Sequence, residues 1–305
     1  MKRRIGLLFR VGCLLLAWGL LPGCAGLAPA EQGRGHPTLW RAERPATGPV
    51  YLLGSVHLGR PQPLALGPGF ERVWQRADEL VLEVDLSLYG EAEGRRLMDR
   101  YGRVPTPGRL RDRVAPRTWA LFQAYLEKRG MSAAPLEPYQ PWLVATLIAV
   151  LEFHALGYDP EHGVDRVLLA QALADGKPVS GMETLESQFA MLAGLPDAVQ
   201  DVMLRDMLAR ADDFAEEASQ MLDAWREGRD RELTRIVFRN LGDEDFAAFY
   251  ESILFERNRL MAARVEELAA DGKTRLVVAG AAHMLGSRGI PALLAERGFD
   301  VEVLE

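Results

Sequence analysis

Apolar residues come in short runs near the start of the globular part of the chain, and turn-forming residues separate the runs. Residues 38–43, 50–57 and 79–86 each carry a run with the length and composition of a β-strand, bounded by Gly and Pro. Between the last two runs, residues 70–80 show the i, i+3, i+4 spacing of an amphipathic helix. Residues 50–86 are therefore predicted to form a strand–helix–strand unit with a parallel pair of strands.

The middle of the chain carries mostly helical patterns. The pattern over residues 140–158 is apolar nearly all round, which predicts a buried helix and argues against a membrane span. A second helix is predicted over residues 163–177, followed by a short strand over 178–183. Residues 115–130 form another helical pattern, and residues 196–270 form a series of acidic amphipathic helices whose charges indicate solvated faces.

The end of the chain repeats the order strand, helix, strand over residues 274–305. Neither terminal unit has enough strands for a stable sheet of its own, so both are expected to contribute to one sheet. We therefore predict a single α/β domain over residues 37–305. Its mixed, largely parallel sheet is built from both ends of the chain, and a large helical insertion packs on the sheet or caps it.

Residues 1–24 have the features of an export signal. Basic residues precede an apolar core of about ten residues, which is too short to span a bilayer. The sequence Leu-Pro-Gly-Cys that ends at Cys24 resembles the lipobox of bacterial lipoproteins, in which this cysteine carries the lipid. A conventional signal cleaved near residues 26–30 is the alternative.

The residues after Cys24 begin with a small, polar stretch, residues 25–36, which is predicted to be a flexible tether. The residue after the cysteine is Ala25 and not Asp. By resemblance to lipoprotein sorting, this implies the bacterial outer membrane, with the domain facing the periplasm. The expected location is therefore the cell envelope, where the protein contacts the membrane through its lipid anchor.

Cysteine content and charge limit the chemistry of the exported domain. The chain has two cysteines, Cys13 in the signal and Cys24 at its end, so the domain can form neither a disulfide nor a Cys-ligated metal site. Loss of the signal lowers the number of basic residues from 36 to 32 against 43 acidic ones, which changes the formal charge from −7 to −11. This acidic balance argues against a nucleic-acid partner.

Four of the strand-like apolar runs lead to an ionisable residue from a small set of types. These residues are His57, Glu83, Glu183 and His283. Ligands of parallel sheets bind beyond the C-terminal ends of the strands, so parallel strands would bring all four to one edge. Such a set can bind a metal ion or perform acid–base chemistry. Each glutamate could equally face water at a strand edge.

Glycines stand at matching positions around the two histidines. Gly54 and Gly280 each precede a histidine by three positions, where the backbone can bend and a ligand can approach, and Gly286 allows the next turn. A single Gly-x-x-His is a weak signal, but two of the five histidines share this context. The remaining three are interpreted as tether, helix and loop residues, namely His36, His154 and His162. By residue pattern alone, Arg257 and Asn258 would lie on a surface helix.

Taken together, these motifs resemble the TraB/GumN family (TraB/PrgY/GumN), which includes the Tiki-like metalloproteases. The family carries two Gly-x-x-His motifs near the ends of its domain, with several other motifs between them in a set order. Here they are residues 54–57, Glu83 in its strand, Gly-Val-Asp at 163–165, Gly-Met-Glu-Thr with a later Gln at 181–188, Glu-Arg-Asn at 256–258, and residues 280–283. The resemblance extends over residues 37–305.

The resemblance implies a metal-dependent protease that acts on a peptide or protein substrate. The family is associated with divalent ions, so the expected cofactor is a divalent metal ion such as manganese, cobalt or zinc. On this hypothesis His57, Glu83 and His283 are the metal ligands, and they leave one position open for water. The metal would then activate that water for attack on a peptide or amide bond.

The remaining site residues receive catalytic roles on the same hypothesis. Glu183 would be the general base or a fourth ligand. Arg257, with Asn258 beside it, would stabilise the oxyanion or hold a substrate carboxylate. Two alternatives stay open: a metal-free hydrolase in which His57 is the base, and a non-catalytic lipoprotein that captures a peptide, or haem through a histidine.

Replacement of Cys24 tests the lipid anchor. Cys24→Ala removes the thiol to which lipid would be attached, so the protein should leave the membrane fraction, as measured by cell fractionation and immunoblotting. Cys13→Ala changes the other cysteine and should leave the protein in membranes. Retention of the Cys24→Ala protein in the membrane fraction would contradict the lipobox interpretation.

Overall fold

The fold was analysed in a computed structural model that describes residues 31–304. Its strands are β1 (Leu39–Glu43), β2 (Val50–Ser55), β3 (Glu79–Val84), β4 (Val179–Glu183), β5 (Arg275–Gly280) and β6 (Asp300–Leu304). Its α-helices are α1 (Pro68–Arg76), α2 (Glu91–Tyr101), α3 (Pro116–Lys128), α4 (Pro141–Ala155), α5 (Val164–Asp175), α6 (Leu185–Ala193), α7 (Asp197–Ala209), α8 (Phe214–Arg226), α9 (Asp230–Val237), α10 (Glu244–Tyr250), α11 (Glu256–Ala269) and α12 (Ile290–Glu296). The signal segment, Cys24 and the first part of the tether lie outside the described residues.

The strands form one six-stranded sheet in the order β4-β3-β5-β2-β1-β6. The neighbouring strands β4, β3, β5 and β2 are parallel, whereas β1 is antiparallel to both β2 and β6. The predicted α/β fold, with a mixed, largely parallel sheet built from both ends of the chain, is confirmed. The predicted direct pairing of β2 with β3 is wrong, because β5 lies between them.

Burial on both faces explains why β5 takes this central position. All six of its residues are buried, as is typical of a parallel strand covered by helices on both faces. On one face, Val277 packs with Met261 and Val265 of α11. On the other face, Leu276 and Val278 join the larger core formed with helices α1 to α10. The sheet therefore lies between α11 and α12 on one side and the remaining helices on the other.

The helices α2 to α10, here called the helical block, contain the predicted buried helix. Helix α4 buries ten of its fifteen residues and packs against α7. Its side chains include Trp142 and Ile148, which are among the largest fully buried ones. Within residues 31–304, no helix combines the length and the apolar character that a bilayer crossing requires.

The acidic helical pattern near residue 250 is interrupted in a way that the sequence does not predict. Helix α10 ends at Tyr250, the residues Glu251–Phe255 form a π-helical turn, and α11 begins at Glu256. Such turns insert an extra residue into a helix and occur frequently at functional sites. Here the Ile253 carbonyl accepts a hydrogen bond of 3.0 Å from Nη1 of Arg257, so the turn helps to direct that side chain.

Trp225 of α8 connects the helical block to the sheet. Its indole Nε1 donates a buried hydrogen bond of 2.8 Å to the carbonyl oxygen of Gly54, which is the next-to-last residue of β2. Because His57 follows Gly54 by three residues, this bond joins the block to the strand that carries the first Gly-x-x-His motif.

Trp225→Phe should lower the free energy of unfolding by about 1–3 kcal/mol, because a buried hydrogen bond between the block and β2 is lost. Urea denaturation measures the change. The matched control is Trp142→Phe, since the buried Nε1 of Trp142 has no hydrogen-bond partner within residues 31–304. If both substitutions destabilise the protein equally, the hydrogen bond is not an important link between block and sheet.

Candidate functional site

The C-terminal ends of β2, β3, β4 and β5 meet at one edge of the sheet. Glu83 lies in β3 and Glu183 ends β4, while His57 follows β2 and His283 lies in the short turn after β5. A Cβ atom added to Gly280 would lie 3.2 Å from His57 Nε2, 3.5 Å from His283 Cδ2 and 3.6 Å from Glu83 Oε2. The two Gly-x-x-His motifs therefore meet around Gly280, whose lack of a side chain makes room for them.

Arg257 is the buried cation of this edge, with 5% of its surface exposed. Its Nη2 contacts Glu83 and lies 2.7 Å from Glu183 Oε2, and its Nε donates to Glu183 Oε1 at 3.0 Å. Its Nη1 donates to Ile253 and faces Nε2 of His283 at 3.3 Å. All five N–H donors of the guanidinium thus have an acceptor. The surface-helix interpretation of Arg257 is wrong.

The carboxylate of Glu83 is held in its charged form. Burial alone would raise its pKa, but the Arg257 guanidinium, the two nearby histidines and the Gly280 N–H, which donates to Oε2 at 3.1 Å, hold this pKa well below its usual range. The Gln188 amide donates to Glu83 Oε1 at 2.7 Å and to Glu183 Oε2 at 3.1 Å. Gln188 therefore holds the two carboxylates together.

His283 is neutral and fixed in orientation. Burial, reinforced by the Arg257 charge, lowers its pKa to about 3. Its Nδ1 lies 2.5 Å from Oδ1 of Asn258, whose amide nitrogen donates to the carbonyl oxygen of Arg288 at 2.7 Å. Because that bond makes Oδ1 the acceptor, Nδ1 carries the proton and Nε2 keeps its lone pair. Asn258, which lies on α11, thus fixes the orientation of His283, the histidine of the second Gly-x-x-His motif.

His57 has the opposite electrostatic environment. Its Nδ1 faces Oδ1 of Asp165 in the first turn of α5 at 3.4 Å. Burial opposes a charge on the ring, but Asp165 and then Glu83 raise the pKa of His57 to about 9. A Cβ on Gly163 would lie 2.4 Å from the His57 carbonyl oxygen, so a glycine is needed where α5 begins against this backbone.

A small polar cavity lies beside this pair. Ser55 Oγ, His57 Nδ1 and Asp165 Oδ1 are buried without a hydrogen-bond partner among the described residues, and all three residues line the cavity. Glu83 and Gln188 line it as well. Its volume of about 20 Å³ is enough for a water molecule, and its polar walls suit one.

Two further glycines, both predicted from the sequence to support the site, stand where a side chain would clash or would be strained. A Cβ on Gly54 would lie 2.9 Å from Cα of Ala281, so the first motif approaches the second too closely for a side chain. Gly286 has a φ of +72°, a left-handed conformation that favours glycine. The other three histidines lie elsewhere, with Nδ1 of His36 near the carbonyl of its neighbour, His154 exposed on α4 and His162 in the turn before α5.

The predicted metal ligands do not have an arrangement that suits a divalent ion. Within residues 31–304, no group of three His, Cys, Asp or Glu side chains is placed to hold a metal ion. Arg257 and Gly280 N–H occupy the two oxygens of Glu83, and the Arg257 cation faces the lone pair of His283. The raised pKa of His57 adds a further positive charge at neutral pH. The counter-charge to the carboxylates is therefore arginine.

Asp165 and Gln188 belong to two of the sequence motifs, but the residue pattern predicts no role in the site for either of them. Asp165 has the pattern of an ordinary acidic residue in the first turn of a helix, where it complements the helix dipole. Gln188 has the pattern of a polar residue on an amphipathic helix. In the sequence, what connects these two residues with the site is their spacing from the other motifs, which follows the order typical of the family.

The fold and the edge define an α/β protein with two histidines, two glutamates and a buried arginine beyond its parallel strands. The sequence model of the TraB/PrgY/gumN family matches residues 38–303, and the chain belongs to this family. It is similar to the uncharacterized protein YbaP of Escherichia coli (strain K12), with 27% identity over 267 residues that cover 86% of this chain and 94% of YbaP. YbaP of Shigella flexneri matches to the same extent. No solved structure matches significantly.

Asp165→Asn should lower the pKa of His57 from about 9 towards its ordinary value, because the carboxylate that stabilises the imidazolium is removed. NMR titration of the histidine ring protons measures this shift. Circular dichroism spectra that coincide for the two proteins would show that the fold is intact. A His57 titration that is unchanged by the substitution would show that Asp165 does not control its charge.

Proposed function

We propose that this protein is a hydrolase of the bacterial envelope, anchored through Cys24, that cleaves a peptide or amide bond with His57 as general base. The observation that carries the proposal is the His57–Asp165 pair. The Nε2 atom of His57 faces the shared space beside Gly280, whereas Nδ1 faces Asp165. A carboxylate behind an imidazole orients the ring and stabilises the imidazolium that forms when the base takes a proton from water. Because the pKa of His57 is about 9, the ring must first lose its own proton, so kcat/KM should rise with pH up to about 9.

The other residues of the edge support this base in the proposed mechanism. All N–H donors of Arg257 are engaged, so Arg257 positions the two carboxylates and does not bind the oxyanion. Its salt bridges keep Glu83 negative, and that charge stabilises the imidazolium that His57 becomes once it has taken a proton. The side chain of Glu183 is 16% exposed against 9% for Glu83, which makes Glu183 the carboxylate that a substrate can reach.

The divalent ion that the family resemblance implies stays a prediction and is no part of this mechanism. Its three expected ligands converge on the same space, but Arg257 supplies positive charge there instead. The metal-dependent and the metal-free mechanisms predict different effects of a chelator. A resident metal makes activity sensitive to chelators, whereas a histidine base does not.

His57→Gln should lower kcat/KM for peptide cleavage by about 100-fold or more, the usual contribution of a general base. The assay follows cleavage of a fluorogenic peptide library by the purified protein at pH 9, near the pKa of His57, where a large share of the rings is neutral. His154→Gln changes an exposed histidine on α4 and is the matched control, with unchanged kcat/KM expected.

A chelator added to the wild-type protein separates the two mechanisms. Unchanged kcat/KM is expected for the metal-free base. Loss of activity that manganese, cobalt or zinc restores would replace it with the metal-dependent hydrolase. Peptide cleavage that is equal in wild type and His57→Gln would contradict both versions of the proposal.

A further inference from the structure

A second, larger cavity lies beside His57 on the side of the helical block. Its volume is about 120 Å³. One wall comes from the ends of β2 and β5, and the other comes from the block helices α4, α7, α8, α9 and α10. His57 lines both this cavity and the small polar cavity, so the two spaces meet at the proposed base.

Small side chains on both walls create the space. Ala145 and Ala149 line it from α4, and Ala281 and Ala282 line it from the second Gly-x-x-His motif. The middle residues of the first motif, Ser55 and Val56, line it too. The residues between glycine and histidine in both motifs thus line the larger cavity, and His57 lies where this cavity meets the small polar one.

The walls are chemically apolar. Aromatic and thioether side chains surround the space, including Met203, Met221, Phe246 and Phe249. Methionine side chains adapt to different ligand shapes, which favours a site that accepts several apolar groups of similar size.

The charged residues of the walls already have partners of opposite charge, and for His57 this partner is Asp165. Asp206 and Arg210 line the cavity and form an ion pair with each other, and Arg210 also pairs with Glu217. An incoming charged group would lose its hydration and would meet an ion pair that is complete. The cavity therefore favours an uncharged, apolar occupant.

We propose that this cavity is the specificity pocket of the enzyme and takes an apolar side chain, of the size of Leu, Met or Phe, from the residue that presents the scissile carbonyl. An engineered protein cavity of about 150 Å³ with apolar walls binds benzene, so about 120 Å³ accommodates a group of similar size. Because the pocket adjoins His57, an occupant here brings its own carbonyl close to the base. The inference rests on the proposed function for its substrate, but the pocket can be tested without activity.

Benzene is the probe for the pocket itself. Added to the wild-type protein, it should raise the Tm in a concentration-dependent way, because it binds the folded state alone. Ala149→Phe fills the pocket and should abolish the shift. The control Ala155→Phe introduces the same side chain at an exposed position of the same helix, outside the pocket lining, and should keep the shift.

A second variant keeps the proposal falsifiable if Ala149→Phe fails to fold. Phe246→Ala enlarges the pocket, so it should increase the affinity for naphthalene relative to benzene. No benzene-induced shift in the wild type, an equal shift in Ala149→Phe, or an unchanged naphthalene preference in Phe246→Ala overturns the pocket assignment, whether or not the protein cleaves peptides.

Substrate preference tests the second half of the proposal. Peptides with Leu or Phe at the residue that presents the scissile carbonyl should have a kcat/KM at least about tenfold above those with Ala there. Ala149→Phe should remove this preference. Equal kcat/KM for the three peptides in the wild type overturns the substrate assignment. Benzene binding without any peptide cleavage would contradict the proposed hydrolase and leave the apolar pocket supported.

Discussion

The burial of one guanidinium between two carboxylates is the interaction on which the site depends. Arg257 comes from α11, on one face of the sheet, and its partners Glu83 and Glu183 come from two neighbouring strands. Loss of one partner from a buried ion pair typically costs about 3–5 kcal/mol, because the remaining charge has no counter-charge. The π-helical turn before α11 and the amide of Gln188 complete the hydrogen bonds of this ion-pair cluster.

Around this cluster, the order of the strands creates the crevice. Strand β5, from the end of the chain, separates β2 from β3, so the two Gly-x-x-His motifs come from adjacent strands and meet at Gly280. The helical block then closes over the edge, with the hydrogen bond from Trp225 to Gly54 as a direct link. A polar cavity and an apolar cavity meet at His57, which is the combination that small-molecule and peptide sites commonly show.

Much of the fold could be predicted from local patterns, since strand and helix periodicity are properties of neighbouring residues. The buried helix α4 and the strands that lead to the four ionisable residues were found in this way. The order of the strands in the sheet could not be predicted from local patterns, because strand pairing joins residues that are far apart in sequence. Strands β2 and β3 flank β5, which lies about two hundred residues away along the chain. The pairing of His57 with Asp165 could not be predicted for the same reason, since it depends on how α5 begins against the backbone of His57, just after β2.

The amino-acid sequence determined which groups are present: two histidines in equivalent motifs after strands, two glutamates, and an arginine at the start of a helix. Only the tertiary structure decided their charges. The pKa of His57 rises to about 9 because Asp165 and Glu83 outweigh its burial, whereas burial and Arg257 lower the pKa of His283 to about 3. Equivalent motifs therefore end in a cation and a neutral ring, because a protonation state depends on the neighbours that folding supplies.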